Sequence, residues 1–331
     1  MSVLIKEVVK ELNPEFCINI LDVGAIGGFE QDRWAELKNH IMLYGFEPNS
    51  EAYKDLKKNS EENIKYLPEG ISDKIGKQKF YMYSHPTINS LLESDDKVAK
   101  RYTIYPEKLR KNAFIPLDTT TSINTITLNE VSKKYGISSL DFINLDCEGM
   151  ELAVLKEGES ILKDTIAILV DASFVKFKKS GCSFLELYNY LDSLGFDLFD
   201  MPKIQKCGFE KSPITDWRYS LDNHFVRRYG RLHGADLFFV RDPFNDEKKF
   251  SFNNEKLLKL ALISECYNQT EFSFEILNHL SAHDKKFKKA LDTISGKYIF
   301  DDLKIYKIIR FYDQIRETFS IKSIKSMFMQ S

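Results

Sequence analysis

The 331-residue sequence lacks the features of an extracellular, membrane or nucleic-acid-binding protein. Its five cysteines form no C-x-x-C pair, which argues against a zinc site or a disulfide framework. No apolar run is long enough to cross a bilayer, and Lys6 and Glu7 interrupt the N-terminal stretch that a secretory signal would need. The 47 basic and 49 acidic residues nearly cancel, so no global field would attract nucleic acid. These absences predict a cytoplasmic protein without a transmembrane segment or a nucleic-acid partner.

Hydrophobic residues make up 43% of the chain, enough for a full core, and their pattern indicates an α/β fold. From residue 18 onward, short β-rich runs alternate with stretches of helical period, which is typical of a Rossmann-like, doubly wound sheet. The predicted strands are 18–23, 41–46, 64–67, 140–145, 165–170 and 234–240, with an added strand at 79–83. The predicted helices include 29–38, 127–135, 184–194 and 255–267, with others after Pro48 and around Met150.

The pattern also predicts three parts along the chain. Residues 1–17 form an N-terminal helix, and residues 18–243 form the sheet domain. Residues 84–116 carry basic and aromatic side chains with no clear period, and a long irregular segment of this kind is often a lid. Residues 244–331 are predicted to be a helical extension. In it, apolar residues at helical spacing between 305 and 315 would pack against the core or a second copy of the chain.

The stretch I-L-D-V-G-A-I-G-G, residues 20–28, predicts a strand, a glycine-rich turn and a helix N-terminus, which together can hold a ligand. Dinucleotide-binding enzymes use the fingerprint G-x-G-x-x-G. The order here is Gly24, Ala25, Ile26, Gly27, Gly28, so the second glycine of that fingerprint is missing. A carboxylate at Asp22 suits the cationic amino acid and sulfonium of S-adenosylmethionine better than a pyrophosphate. Glu47, at the end of the next strand, is placed to accept hydrogen bonds from both ribose hydroxyls. The pair therefore favours S-adenosylmethionine over NAD.

A second acidic cluster follows the buried run L-D-F-I-N-L, in the order Asp146, Glu148 and Glu151. Ligands of doubly wound sheets bind at the carboxyl ends of the strands, so Asp146 is predicted to face the reactive end of the cofactor. For Glu151, capping of the following helix is an equally good interpretation.

At these motifs the sequence resembles the FkbM-type S-adenosylmethionine-dependent methyltransferases. The resemblance runs over residues 18–242 through L-D-V-G-A-I-G-G, G-F-E-P-N, E-G-I-S-D-K-I-G, I-T-L-N-E-V, L-D-F-I-N-L-D-C-E-G-M-E and A-I-L-V-D-A-S-F. It implies O-methylation, commonly of a sugar hydroxyl in a glycan, glycolipid or natural product. The sequence departs from the family at Ile26, where Asn is frequent, and at Asp171, where Glu is usual.

Carried over by position, the resemblance implies a cofactor site and an acceptor site. The cofactor site comprises Asp22, Gly24, Ala25, Gly28, Glu47, Pro48 and Asp146, with Ser72 and Asp73 near the adenine. Glu148 would border the methyl-transfer site. Apart from the resemblance, the guanidinium groups of Arg227, Arg228 and Arg231 could bind an acidic glycan or phosphate through bidentate contacts. For the lysines of the basic-aromatic stretch 97–114, a solvated charged face is the simpler interpretation.

Methyl transfer to a hydroxyl needs a group that takes the hydroxyl proton. The candidates are Asp146, Asp171, His85, His224 and His233, and Asp146 is the preferred base or orienting group. A divalent metal held by Asp146, Glu148 and Asp171 is an alternative, which we do not favour. Two further alternatives stay open: a non-sugar small-molecule or protein acceptor, and a Rossmann-like core that has lost its chemistry and serves as a binding module.

Overall fold

A computed structural model describes residues 2–84, 86–103, 117, 120–209, 211, 230–248 and 250–296. Its centre is an eight-stranded sheet with the order β3-β2-β1-β8-β9-β11-β10-β6, and a three-stranded sheet of order β4-β7-β5 lies beside it. The strands are β1 (Ile18–Val23), β2 (Ile41–Phe46), β3 (Ile64–Leu67), β4 (Gly70–Ile71), β5 (Gly76–Tyr81), β6 (Tyr102–Thr103), β7 (Thr120–Ile126), β8 (Phe142–Leu145), β9 (Ala167–Ser173), β10 (Asp197–Phe209) and β11 (Arg231–Val240).

The first five strands of the large sheet, from β3 to β9, are parallel, and β11, β10 and β6 continue it antiparallel. Chain order in the parallel part reverses direction between β1 and β8, which leaves a crevice at the carboxyl ends of these two strands. The prediction of a Rossmann-like, doubly wound α/β sheet is confirmed.

Helices cover both faces of the large sheet. They are α1 (Val3–Leu12), α2 (Gln31–Trp34), α3 (Ser50–Lys58), α4 (Asp96–Ala99), α5 (Leu128–Tyr135), α6 (Glu151–Lys156), α7 (Glu159–Leu162), α8 (Phe184–Ser193), α9 (Asn254–Cys266), α10 (Thr270–His283) and α11 (285–296). Two 3-10 turns, Ala35–His40 and Pro86–Ile88, interrupt the alternation. Local chemistry fixes several ends: Thr127 caps the start of α5, and Gly136 ends it in a left-handed conformation.

Several predicted bounds change in the structure. The helix predicted at 29–38 is the short α2 followed by the 3-10 turn. The strand predicted at 79–83 begins at Gly76, because it pairs along its whole length with β7. The sequence pattern did not indicate β7 or β10. Most side chains of β7 alternate without a strong apolar face, and β10 contains a proline and three register shifts.

The described part of the C-terminal region packs on the core of its own chain. In α9, every residue from Leu257 to Cys266 is buried. One hydrophobic cluster joins α9 and α10 to α1 and to one face of the large sheet. Residues 305–315, predicted to pack against the core or a second copy, lie outside the described residues. The division at residues 17 and 243 stays a prediction, as does self-association through the extension.

Among the residues that the structure describes, no helix is both long and apolar enough to cross a bilayer.

Candidate functional site

The glycine turn after β1 lies directly against the end of β8. Gly24 has a φ of +83°, and a Cβ atom at this position would lie 2.1 Å from the main-chain oxygen of Asp146. Its N–H donates to the carbonyl of Phe46 at 3.1 Å, as does the N–H of Ala25. Only glycine fits this turn, because both the backbone angle and the contact exclude a side chain. The turn therefore joins the ends of β1, β2 and β8 around one crevice.

Two buried carboxyl groups flank the turn. Asp22 is 2% exposed and accepts a 2.7 Å hydrogen bond from the side chain of Asn144, its register partner on β8. Burial raises the pKa of Asp22 to about 6 despite this bond. Glu47 is 4% exposed and accepts from the N–H of Asn49 at 2.7 Å. Burial likewise raises the pKa of Glu47 to about 7.

A cleft with about 600 Å³ of free space, part of it open to solvent, lies at this edge of the sheet. Gly24, Glu47, Pro48, Asp146 and Glu148 line it together, so the structure brings these predicted residues into one site. Its apolar wall, which the sequence analysis did not identify, comprises Phe46, Ile71, Phe80 and Ile123.

Ala25, Gly28, Ser72 and Asp73, which were also predicted to contact the cofactor, are not among the residues that line this cleft. Ala25 is 2% exposed beneath the turn. Gly28, with a φ of +87°, has Leu56 and the Tyr66 hydroxyl as neighbours. Ser72 is fully buried and accepts from Gln78 at 2.8 Å, while its hydroxyl donates to Asp73 at 3.0 Å. Ser72 therefore supports the segment that continues from the cleft residue Ile71.

Asn89 lines the cleft opposite the glycine turn and was not predicted. Its side chain is 9% exposed, and its oxygen accepts from the N–H of Tyr83 at 2.8 Å. The amide nitrogen has no hydrogen-bond partner within the described part of the chain. A buried donor left without a partner costs free energy, so a ligand acceptor at this point would be favourable.

The three carboxyl groups after β8 occupy different environments. Asp146 is exposed to the cleft, yet the crowding of protein around it, together with Glu148 and Glu151, raises its pKa well above the ordinary value. Glu148 is half-buried, and burial raises its pKa to about 7. Glu151 is buried and accepts from the N–H groups of Gly149 and Cys147 at 2.9 and 3.3 Å. Glu151 thus caps the turn that leads into α6.

Asp171 was predicted at the end of a strand, but β9 continues to Ser173 because its pairing with β11 extends that far. Asp171 lies inside the strand opposite Asp236, and accepts from Gln205 at 3.3 Å. Burial raises its pKa well above the ordinary value, and the nearby charge of Asp146 raises it further. Asp236 in turn faces Lys203 on β10, 3.9 Å away.

The predicted histidines and arginines do not assemble at the cleft in the described part of the chain. His85, His224, Arg227 and Arg228 lie outside the described residues. His233 is 9% exposed and packs edge-on against Phe177, and its catalytic role stays a prediction. The guanidinium of Arg231 donates a hydrogen bond to the hydroxyl of Tyr102 and lies over the ring of Tyr102. The role of Arg231 in acceptor binding stays a prediction.

Lys178 is a further residue that the sequence analysis missed. It is 5% exposed, and its ammonium lies 4.0 Å from the carboxylate of Glu148. No motif marks this lysine, whereas Asn144 could have been found from the two-residue alternation with Asp146 in I-N-L-D.

The metal alternative gains no support from the geometry. Among the described residues, no group of three or more His, Cys, Asp or Glu side chains is arranged to hold a metal ion. Asp146, Glu148 and Asp171, proposed above as ligands, do not form such a group.

Residues 22–198, just over half of the chain, match the family model of the methyltransferase FkbM domain. A curated relative, 2-O-methyltransferase NoeI of Sinorhizobium fredii, is 26% identical over 162 residues. That match covers 46% of this chain and 63% of the relative, so the chain spans less than two thirds of the relative's length.

Two solved structures are also similar to the chain, each at 12% identity. One is Streptococcus pneumoniae Sp1610, a candidate tRNA (m1A22) methyltransferase, with a TM-score of 0.32 over 87% of this chain and 94% of that one. The other is M. capricolum TrmK in complex with S-adenosyl-homocysteine, with a TM-score of 0.30 over 90% of this chain and 97% of that one.

Proposed function

The chain belongs to the FkbM methyltransferase family, and from this premise we propose that it moves the methyl group of S-adenosylmethionine to a hydroxyl of a sugar-containing acceptor. The observation that carries the proposal is the meeting of Gly24, Glu47 and Asp146 in one cleft at the crevice of the sheet. The family makes the protein a methyltransferase. The cofactor, the oxygen acceptor and the sugar are the proposed parts.

The chemistry of the cleft fits S-adenosylmethionine. The buried Glu47 carboxylate follows β2 and lines the cleft, where it is placed to accept from ribose hydroxyls while it also accepts from the N–H of Asn49. Phe46 and Ile71 offer an apolar surface to a purine, and the Asn89 amide nitrogen, which has no partner among the described residues, offers a donor. When bound, the cofactor supplies an electrophilic methyl group on a sulfonium.

The chain's own residues then have two tasks at the methyl-transfer end. They must hold the acceptor hydroxyl in line with the methyl group, and they must take its proton. Asp146 and Glu148 both line the cleft and both carry carboxyl groups, so either can perform these tasks.

Two considerations support an oxygen of a sugar as the acceptor. The curated relative is named a 2-O-methyltransferase, which specifies an oxygen acceptor for that protein. The resemblance to the FkbM-type enzymes implies O-methylation, commonly of a sugar hydroxyl. A non-sugar acceptor is the alternative outcome of the same screen.

The test is calorimetric titration of the protein with S-adenosylhomocysteine and, separately, with NAD. We expect binding of the homocysteine compound alone, weakened in Glu47→Ala. Methyl transfer from labelled S-adenosylmethionine to panels of sugars, small-molecule alcohols and proteins then identifies the acceptor class.

Binding of NAD alone would refute the cofactor assignment. Binding of the homocysteine compound with transfer only to non-sugar acceptors would refute the sugar proposal and leave the cofactor assignment intact. A folded protein that binds neither compound would support the binding-module alternative.

A further inference from the structure

A buried lysine, Lys178, lies beside the cleft residue Glu148. The ammonium of Lys178 donates to the carbonyl of Ile88 at 3.0 Å and lies 3.9 Å from the centre of the Tyr83 ring. Its third neighbour is the carboxylate of Glu148, at 4.0 Å. A buried ammonium needs such compensation, because burial without a partner is costly. When ionised, Glu148 supplies the opposite charge, and it also lines the cleft.

The backbone holds Lys178 in this position. The N–H of the next residue, Lys179, donates to the carbonyl of Glu93 at 2.8 Å, and Lys178 itself forms an isolated β-bridge with Ser94. A Cβ atom at Gly149 would lie 3.3 Å from Cγ of Lys178, so glycine at this position leaves room for the lysine stem. The glycine of the D-C-E-G motif therefore avoids a steric contact with Lys178, which lies 29 residues further along the chain.

Glu148 is also fixed in an unusual backbone conformation. Its φ is +53°, a left-handed value that is rare for a residue with a side chain. The hydroxyl of Ser90 donates to its main-chain carbonyl at 2.9 Å. Strained conformations of this kind cluster at functional sites, where surrounding contacts maintain them. Here the contacts orient the Glu148 side chain between the cleft and Lys178.

We propose that Glu148 accepts the proton of the acceptor hydroxyl, and that Lys178 is the positioning residue that keeps the Glu148 carboxylate ionised and directed into the cleft. This inference rests on the proposed function. In the reaction, the acceptor oxygen loses its proton to Glu148 as the new carbon–oxygen bond forms. One carbon–sulfur bond breaks with its electron pair left on sulfur, and Glu148 later releases the proton to water.

The electrostatic surroundings favour Glu148 over Asp146 for this task. Burial raises the pKa of Glu148 to about 7, and the largest opposing influence is the charge of Lys178. The crowding of protein around Asp146 raises its pKa, as do the charges of Glu148 and Glu151, and Lys203 lowers it by less than either of these charges raises it. A general base works best with a pKa near the working pH, which Glu148 satisfies.

The charged groups around Glu148 and Lys178 decide in which direction the pKa of Glu148 moves when the Lys178 charge is removed. Glu151 raises the pKa of Glu148, and Lys178 and Lys203 lower it. Burial lowers the pKa of Lys178 to about 8, whereas Glu148 and Glu151 raise it. On the other side, Tyr83 has Glu148 and Glu93 as charged neighbours. Loss of the Lys178 charge therefore raises the pKa of Glu148, and the carboxylate is lost at a higher pH.

The test compares Lys178→Met, Lys178→Arg and Glu148→Gln with the full-length wild type. We expect the acidic limb of kcat/KM in Lys178→Met to move up by about one pH unit or more, since an opposite charge at this distance has an effect of that size. Activity should recover at high pH, and Lys178→Arg should restore much of the shift. Glu148→Gln should lower kcat on the order of a hundredfold.

A second readout does not depend on turnover. Carbon-13 NMR of protein labelled at glutamate carboxyls identifies Glu148 as the resonance missing from Glu148→Gln. Its titration midpoint should rise in Lys178→Met. The matched control is Lys179→Met, because Lys179 is adjacent but 53% exposed and paired with Glu93. In that variant both the midpoint and the pH profile should match the wild type.

An unchanged Glu148 midpoint in a folded Lys178→Met protein would overturn the inference, as would loss of the acidic limb in Asp146→Asn but not in Glu148→Gln. Failure of the wild type to bind S-adenosylhomocysteine would overturn the proposed function instead. The two failures are distinguishable because the NMR titration requires neither cofactor nor acceptor.

Discussion

Buried carboxyl groups have different kinds of partner at the two ends of the large sheet. At the amino end, the ammonium of Lys259 lies 3.1 Å from the carboxylate of Asp141, with both side chains at most 8% exposed. Asp141 also accepts from the N–H of Asn19 at 2.8 Å. At the carboxyl end, Glu47 is as deeply buried as Asp141, but the partners that lower its pKa are main-chain N–H groups, and no cation is among them.

The difference separates stability from function within one sheet. The ion pair between Lys259 and Asp141 connects α9 to the amino ends of β1 and β8. This end of the sheet therefore contributes to the stability of the fold. The carboxyl groups of Asp22 and Glu47 at the crevice are buried with neutral hydrogen-bond donors, and burial raises their pKa values. Sites that need unsatisfied groups for a ligand are expected to cost stability.

The largest predicted effect is at the amino end. Lys259→Met leaves Asp141 buried without its cation, so we expect the free energy of unfolding to fall by about 3–5 kcal/mol. Chemical denaturation measures this change. The affinity of the folded variant for S-adenosylhomocysteine should be unchanged, since the substitution lies at the opposite end of the sheet from the cleft.

The matched control on the same helix is Lys256→Met. Lys256 pairs with Asp164 at 2.9 Å, but the two side chains are 24% and 55% exposed. A partly exposed pair contributes at most about 1 kcal/mol. If the free energy of unfolding falls equally in the two variants, burial does not make the pair of Lys259 and Asp141 contribute more to stability than the partly exposed pair.

At the carboxyl end of the sheet, the second prediction is the opposite one: ligand affinity is lost and stability is kept. Glu47→Gln keeps the size of the side chain and an oxygen that can accept from Asn49, but removes the charge that would hold both ribose hydroxyls. We expect the affinity for S-adenosylhomocysteine to fall about 10- to 100-fold by calorimetry, the size of a lost charged hydrogen bond. The stability of the free protein should stay equal or increase at pH 8.

Glu51→Gln is the control for this change, because Glu51 is exposed on α3 four residues further on. It should bind with wild-type affinity. Retention of full affinity in Glu47→Gln would contradict the ribose role of Glu47 and weaken the contrast between the two ends.

The third prediction concerns pH. The pKa of Glu47 rises from its ordinary value of 4.5 to about 7 on folding, so the folded chain binds more protons than the unfolded chain between these values. Its stabilising contribution is present below about pH 4.5 and is lost as the pH rises through about 7. Asp22 acts in the same direction, with a pKa of about 6.

We therefore expect the stability difference between Glu47→Gln and the wild type to grow by up to about 3 kcal/mol from pH 4.5 to pH 8. Thermal or chemical denaturation across this range measures it, and comparison with Glu51→Gln removes the contribution of other groups. A difference that is constant with pH would mean that Glu47 titrates normally in the folded chain.

The sequence predicted the fold where apolar runs were long and bounded by turns. The strands 18–23, 41–46 and 64–67 have the predicted bounds. It missed β10, whose Pro202 and polar side chains resemble a loop until pairing with β11 is known. Local pattern cannot show pairing partners that lie far apart in the chain.

For the site, the sequence predicted the carboxyl groups that follow strands, because parallel strands end at the same edge of the sheet. Glu47, Asp146 and Glu148 do line one cleft. It could not predict Lys178, since buried lysines are rare and Glu148 becomes its neighbour only through the folded chain. Asp171 was misplaced because the end of β9 depends on its partner β11.

The smallest predicted effect tests the outer rim of the carboxyl end. Asp73 is half-buried, accepts from Ser72 at 3.0 Å, and has Lys74 as an exposed partner at 3.8 Å. If Asp73 accepts from the adenine amino group, Asp73→Asn keeps an acceptor oxygen and loses only part of one exposed hydrogen bond. We expect about a two- to fivefold loss of S-adenosylhomocysteine affinity. An affinity equal to that of the exposed control Asp55→Asn would place the adenine elsewhere, and a loss as large as in Glu47→Gln would mean that charge at the rim matters as much as charge that is buried.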